Sequence, residues 1–175
     1  MHVGIFGLAG AGKTTVAKRL ARENINYVAI SASKLIKEYG GVIEYERLEG
    51  RVISSNQGSL VMAYSNFKRI HKNTLIELHS IIESESSVTD VDVRILQELN
   101  LDSAFFIKVE PHELGCRRRL DITKKRKQVC DDEIEALQLR AIDVCRKALG
   151  SKLRVVDSVI ALAAIDGFIK SVPAE

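Results

Sequence analysis

Short apolar runs alternate with segments of helical periodicity along the whole chain. The runs that predict strands lie at 2–6 (HVGIF), 27–30, 74–78, 104–109 (AFFIKV) and 153–156. The helical patterns lie at 14–23, 33–39, 59–70, 91–99, 111–120, 131–149 and 158–170, whereas the pattern over 42–58 is irregular and polar. Five short strands separated by helices predict an α/β fold of three layers, with a mostly parallel five-stranded sheet covered on both faces.

The first strand leads into a glycine loop, GLAGAGKT, that fits the pattern G-x-x-x-x-G-K-[ST] without deviation. A strand precedes it and a helix follows, which is the context this motif requires. Glycines allow backbone N–H groups to turn inward around phosphate oxygens, and the helix N-terminus adds its dipole. We therefore expect a fold of the P-loop nucleoside triphosphate hydrolase type, with Lys13 at the β/γ-phosphates and Thr14 on Mg²⁺. The predicted phosphate-binding residues of the loop are Gly7, Gly10, Ala11, Gly12, Lys13 and Thr14.

A strongly basic segment follows the predicted helix at 111–120. Its cations are Arg117, Arg118, Arg119, Lys124, Lys125, Arg126 and Lys127. Cations brought over the phosphates during phosphoryl transfer stabilise the charge that spreads over the oxygens, so a basic lid at about 117–130 is one interpretation. A solvated basic face or a nucleic-acid patch is the other.

The bulk composition restricts the class of protein. The 175 residues are 46% hydrophobic and 28% charged, with a net charge of +3, which predicts one globular domain and no general nucleic-acid binder. There is no apolar run of about 18 residues, and the short N-terminal one leads directly into the glycine loop, so neither a membrane span nor a signal peptide is expected. Three cysteines without CxxC spacing predict free thiols and a cytoplasmic location. A GTPase is disfavoured because an Asn-Lys-x-Asp motif is missing.

Beyond the glycine loop, the chain resembles the archaeal-type adenylate kinases and their relatives, the adenylate-kinase-like ribosome assembly ATPases. The resemblance rests on GLAGAGKTT, on NTLIELHSIIES, which is similar to the family's Asp-Thr-His-Ser segment, and on ILQELNLDSAFFIKVEPHELGCRRRLDITKKRK. It continues through DDEIEALQLRAIDVCRKALGSKLRVVDS and covers most of the chain. It implies a nucleoside monophosphate kinase core that transfers a phosphoryl group from ATP, with Mg²⁺, to AMP.

The resemblance also implies roles for single residues. Lys13, Thr14 and Thr15 would serve the ATP phosphates and the metal. Arg118, Lys124 and Arg126 match lid positions that clamp phosphates.

On the acceptor side, the segment at about 31–70 would be the monophosphate-binding arm. Arg47 and Arg51 would bind the acceptor phosphate, because the planar guanidinium pairs phosphate oxygens bidentately, with ordinary surface arginines as the alternative. Glu77 would hold Mg²⁺ through water. His79, just past the end of a strand, is expected to be a polar residue of the acceptor site, with a surface histidine as the alternative.

Three departures from the family pattern leave the function open. Glu77 replaces the family's Asp, the following IIESESSVTDVDVR lacks Gly and Pro, and Lys125-Arg126-Lys127 replaces an Arg-x-Arg-Asp pattern. The favoured function is an adenylate kinase. The alternatives are an ATPase assembly factor whose lid contacts RNA or an acidic protein, and a kinase for another small acceptor. The apolar helix at 158–170 is expected to pack in the core or to form a homo-oligomer interface.

Overall fold

A computed structural model describes residues 1–44, 48, 50–84, 87–121 and 129–172. Its strands are β1 (His2–Phe6), β2 (Val28–Ser31), β3 (Thr74–Glu77), β4 (Ile81–Glu83), β5 (Val88–Asp90), β6 (Ser103–Lys108) and β7 (Leu153–Asp157). Its helices are α1 (Lys13–Glu23), α2 (Ala32–Glu38), α3 (Gly50–Ile70), α4 (Val93–Glu98), α5 (Pro111–Leu120), α6 (Asp131–Leu149) and α7 (Ala161–Ser171).

Five strands form a parallel sheet in the order β2-β3-β1-β6-β7. The central strand β1 pairs on one side with β3, where Val3 lies opposite Leu75, and on the other with β6, where Val3 lies opposite Ser103. Strands β1, β3 and β6 are buried because helices cover both faces, with α1 packed against α7 and α6 packed against α4 and α5. The predicted three-layer α/β fold is confirmed. The carboxyl ends of β1 and β3 lie at the same edge of the sheet, where ligands of such sheets bind.

Helix α3 corrects one prediction from the hydrophobic pattern. The pattern predicts a helix from 59, after an irregular polar segment at 42–58, but the helix begins at Gly50. The polar residue Asn56 interrupts the apolar periodicity although it faces inward, where its amide donates a hydrogen bond of 2.6 Å to the carbonyl of Val42. Ile53, one turn earlier, is also buried. Because a polar side chain occupies this buried position, the hydrophobic pattern did not indicate the first half of the helix.

A short antiparallel hairpin, β4–β5, was missed by the sequence analysis. Ile81 pairs with Asp90 and Glu83 with Val88. The two strands have three residues each and carry no Asn-Gly or Gly-rich turn signal, so local pattern gave no indication of them. The hairpin depends on tertiary contacts with α6, since the hydroxyl of Ser80 donates to the carbonyl of Ala141 over 2.8 Å.

The last helix starts later than its apolar pattern predicted. Helix α7 begins at Ala161, because the carboxylate of Asp157 accepts the N–H of Val159 and holds 158–160 in a turn. Its buried residues Ala161, Ile165 and Ile169 face the core, and α7 packs against α1, as the core interpretation predicted. Among the described residues, no helix is both long and apolar enough to cross a membrane.

Candidate functional site

The glycine loop connects the buried end of β1 with the first residue of α1. Gly10 and Gly12 have φ angles of 92° and 89°, a left-handed backbone that residues with a Cβ rarely adopt. The N–H of Ala11 donates to the carbonyl of Leu8 over 3.1 Å and closes the turn. The first turn of α1 contains no acidic residue, so its N-terminal dipole is not opposed by a carboxylate.

Lys13 lies across this loop. The side chain is buried, and its Nζ donates to the carbonyls of Gly7 and Leu8 over 2.7 and 2.9 Å. These two bonds place a positive charge over the loop and beside the N-terminus of α1. The next two residues, Thr14 and Thr15, are exposed in the first turn of the helix. The loop therefore combines a fixed ammonium with the N-terminus of a helix, which is an arrangement that attracts phosphate.

Glu77 meets the loop from the neighbouring strand. It is the last residue of β3, and its Oε2 accepts a hydrogen bond of 2.5 Å from the hydroxyl of Thr14. The longer side chain of Glu, compared with the Asp of the family pattern, is accommodated in this contact. A hydroxyl and a carboxylate are hard oxygen donors that fit Mg²⁺, which takes few protein ligands and completes its shell with water and phosphate oxygens. The part of the chain that the structure describes contains no group of three or more His, Cys, Asp or Glu residues arranged for a metal, and Mg²⁺ needs none.

His79 lies on the same edge of the sheet as Glu77. It is half-buried in the connection between β3 and β4, two residues beyond the strand end. Its position at the carboxyl end of the sheet agrees with the prediction, and its role in the acceptor site stays a prediction.

Helix α5 directs two arginines towards the loop. It begins at Pro111, as predicted, and the carboxylate of Glu110 caps it by accepting the N–H groups of His112 and Glu113. These two bonds lower the pKa of Glu110, because they favour its charged form. A well-defined start fixes the rotation of the helix, and hence the direction of the arginines in its last turn.

Arg118 is in direct contact with the glycine loop. Its Nε donates to the carbonyl of Ala9 over 2.9 Å, and its two Nη atoms donate to Glu83 of β4 over 2.9 and 2.7 Å. The side chain is only 6% exposed. The structure thus brings Arg118 to the predicted site but pairs its guanidinium with protein atoms. Its predicted role as a phosphate clamp stays a prediction.

Arg117 also lies near the glycine loop, beside Gly12. A Cβ built on Gly12 would lie 3.9 Å from its Nη1, and its Nη2 donates to Glu113 over 2.6 Å. The sequence placed Arg117 in the basic segment without a role of its own. Arg119 instead donates to the thiol of Cys116 over 3.0 Å. Which of these neighbouring arginines faces the loop depends on the rotation of α5, which the cap at Glu110 fixes.

The remaining predicted site residues are not joined to the loop. Arg51 is exposed in the first turn of α3, and no hydrogen bond or ion pair among the described residues connects it with the loop. Arg47, Lys124 and Arg126 lie outside the described residues, together with residues 122–128 of the proposed lid. Their roles stay predictions.

The parallel sheet and the glycine loop together define a protein with the P-loop kinase fold. The family model described as "AAA domain" matches residues 6–138, which is most of the chain, and the protein therefore belongs to this family. No curated protein matches the sequence.

Solved structures show the same fold at low identity. Shikimate kinase from Aquifex aeolicus superposes with a TM-score of 0.61 at 16% identity, over 98% of this chain and 100% of that one. Deoxyadenosine kinase from M. mycoides, with bound dATP, gives 0.54 at 14% identity, over 98% and 100%. Thymidylate kinase from Candida albicans gives 0.54 at 12% identity, over 97% and 91%. At these identities the likeness establishes the fold.

Proposed function

We propose that the protein is a nucleoside monophosphate kinase that uses Mg-ATP as donor, with AMP as the favoured acceptor. The observation that carries the proposal is the contact of Thr14 with Glu77 beside the buried ammonium of Lys13. This contact brings a hydroxyl and a carboxylate, the oxygen donors that suit Mg²⁺, next to the glycine loop at the carboxyl ends of two adjacent strands. The kinase fold and the resemblance to adenylate kinases support phosphoryl transfer to a small acceptor.

The chemistry requires positioning and charge neutralisation from this chain. A phosphate acceptor is already an anionic nucleophile at neutral pH, so no general base is needed. Lys13 and the N-terminus of α1 stabilise the negative charge on the transferred group. Mg²⁺, when bound through Thr14 and Glu77, neutralises charge on the donor phosphates.

The acceptor side of the proposal rests on the arm formed by α2 and α3. The two helices pack together, and α3 also packs against α4, so the arm is joined to the body of the domain. Arg47 and Arg51 are assigned to bind the acceptor phosphate, and His79 is assigned to the same acceptor site. The hairpin β4–β5 occupies the chain segment where the adenylate kinase family has its Gly- and Pro-rich loop. A cytoplasmic location is proposed because Cys116, Cys130 and Cys145 are all free thiols.

Steady-state turnover with Mg-ATP tests the proposal. The reaction is followed with and without each nucleoside monophosphate, measuring both diphosphate and free phosphate. We expect ADP formation that depends on AMP, without phosphate release, and no activity in Lys13→Ala prepared in parallel. Phosphate release that is indifferent to every monophosphate would contradict the proposal and favour the assembly ATPase. Turnover only with a non-nucleotide acceptor would favour another small-molecule kinase.

A further inference from the structure

We propose that Glu83 is a positioning residue for the phosphate loop. Through Arg118 it fixes the orientation of the peptide that joins Ala9 and Gly10. The inference rests on the proposed function only in that the loop binds nucleotide phosphates. It concerns a residue of the hairpin β4–β5, which no motif of the sequence identified.

Among the ion pairs of the described residues, the one between Glu83 and Arg118 is the most buried. Both carboxylate oxygens of Glu83 are used, one for each Nη atom of Arg118, in a bidentate pair. The side chain of Arg118 is 6% exposed, whereas Arg140, which bonds Asp90 on the same hairpin, is 46% exposed. Bidentate, desolvated pairs of this kind hold a guanidinium in one orientation, whereas exposed pairs are screened by water.

The orientation matters because the third donor of Arg118 reaches the loop. Its Nε donates to the carbonyl of Ala9 over 2.9 Å. The peptide bond that follows is trans, so this carbonyl and the N–H of Gly10 point in opposite directions. By holding the carbonyl on the α5 side, Arg118 directs the N–H of Gly10 away from α5. Phosphate loops bind their ligand through such directed N–H groups.

Arg118 alone is not sufficient for this function. An arginine has three rotatable bonds between Cβ and the guanidinium, and a buried guanidinium without a carboxylate carries an uncompensated charge. Removing the charge of Glu83 is therefore expected to let the guanidinium leave the carbonyl of Ala9. The hairpin is held against α6 by the buried hydroxyl of Ser80, which donates to the carbonyl of Ala141.

Two measurements test the inference on the full chain: the Kd for Mg-ATP by calorimetry and the backbone amide signal of Gly10 by NMR without nucleotide. In Glu83→Gln, which keeps the side-chain shape, we expect a Kd about tenfold weaker, the factor that corresponds to losing one charge-assisted hydrogen bond. The Gly10 amide is expected to shift and to exchange faster with solvent. Arg118→Lys, which keeps the charge but not the fork, is expected to behave in the same way.

Asp90→Asn is the matched control, because it breaks the exposed ion pair of the same hairpin. It is expected to change the Kd less than twofold. The double variant Glu83→Gln with Arg118→Lys should be no weaker than either single variant, since both act through one contact. Circular dichroism and the Tm confirm that each variant is folded at the measuring temperature.

Three results would overturn the inference. One is a Glu83→Gln variant that binds Mg-ATP as tightly as the unmodified chain or more tightly. This result would mean that Glu83 competes with the nucleotide phosphates for Arg118. Another is an equal loss in Asp90→Asn, which would indicate a general effect of hairpin stability. The third is an unchanged Gly10 amide. Because that signal is recorded without nucleotide, it tests the inference even if the chain proves not to be a kinase.

Discussion

Lys13 is held over the glycine loop by two backbone carbonyls, and its replacement tests the loop most directly. We expect Lys13→Ala to lower ATP-dependent turnover at least about a thousandfold, because the transition-state charge loses the ammonium of the glycine loop. The fold should be retained, since the loop turn is closed by backbone atoms. The measurement is turnover together with circular dichroism.

Lys18→Ala is the control for this experiment. Lys18 is exposed in the same helix, and its replacement should leave turnover unchanged. A Lys13→Ala variant with normal turnover would remove the loop from the mechanism.

Glu77 is expected to act on Mg²⁺ and not only on Thr14. Glu77→Gln keeps an oxygen that accepts the hydrogen bond from Thr14 but removes the negative charge. The Mg²⁺ concentration for half-maximal turnover should therefore rise about tenfold, the size of effect typical of groups that orient a metal's ligands. Glu77→Asp should be less affected, because the charge remains.

A magnesium titration at saturating ATP measures this effect. Glu98→Gln, on the exposed surface of α4, is the control variant. An identical magnesium requirement in Glu77→Gln and the unmodified chain would mean that the carboxylate only supports the loop.

At the scale of elements, the junction of β6, α5 and α6 fixes where the arginines point. The amide of Gln138, fully buried in α6, accepts the N–H of Val109 over 2.9 Å and donates to the carbonyl of the same residue over 2.8 Å. Val109 immediately follows β6, and Pro111 begins α5 two residues later. One side chain of α6 thus fixes the end of an interior strand, two residues before the helix that carries Arg117 and Arg118 begins.

Gln138→Ala is expected to reduce the free energy of unfolding by about 2 to 3 kcal/mol, because it leaves two buried backbone groups without a partner. Urea denaturation measures the change. Gln97→Ala, at an exposed position of α4, should change it by less than about 0.5 kcal/mol. A loss of similar size in both variants would contradict the proposed role of this junction.

At the scale of the whole molecule, a buried thiol and a buried tyrosine hydroxyl predict a loss of stability at alkaline pH. Burial raises the pKa of Cys145 from 9.0 to about 12 and also raises the pKa of Tyr64, whose hydroxyl is hydrogen-bonded to Thr74. Above about pH 9 the unfolded chain releases these protons while the folded chain keeps them. Rising pH therefore favours unfolding, and stability is retained below that range.

Thermal unfolding between pH 8 and pH 11 measures this effect. The Tm is expected to fall as pH rises, and Tyr64→Phe should make the fall shallower although it lowers the Tm at pH 8. Tyr39→Phe, at an exposed tyrosine, should leave the slope as it is. Equal slopes in all three proteins would contradict the assignment to Tyr64.

The sequence was sufficient to predict the five strands of the sheet and the phosphate loop, because these depend on local properties. A continuous apolar run has few alternatives to a buried strand, and the loop needs glycines at fixed spacing next to a helix start. The cap that starts α5 at Pro111 is local in the same way. The contact of Thr14 with Glu77 was anticipated only as a shared metal site, through the resemblance to a family.

Tertiary structure alone decided the features that join distant segments. The first half of α3 depends on the buried Asn56, and the hairpin β4–β5 depends on its attachment to α6. The role of Arg118 depends on Glu83, which is 35 residues away. In each case a polar group is stabilised by a partner far along the chain. Hydrophobic periodicity contains no information about such pairs, because it records only which side of an element faces the core.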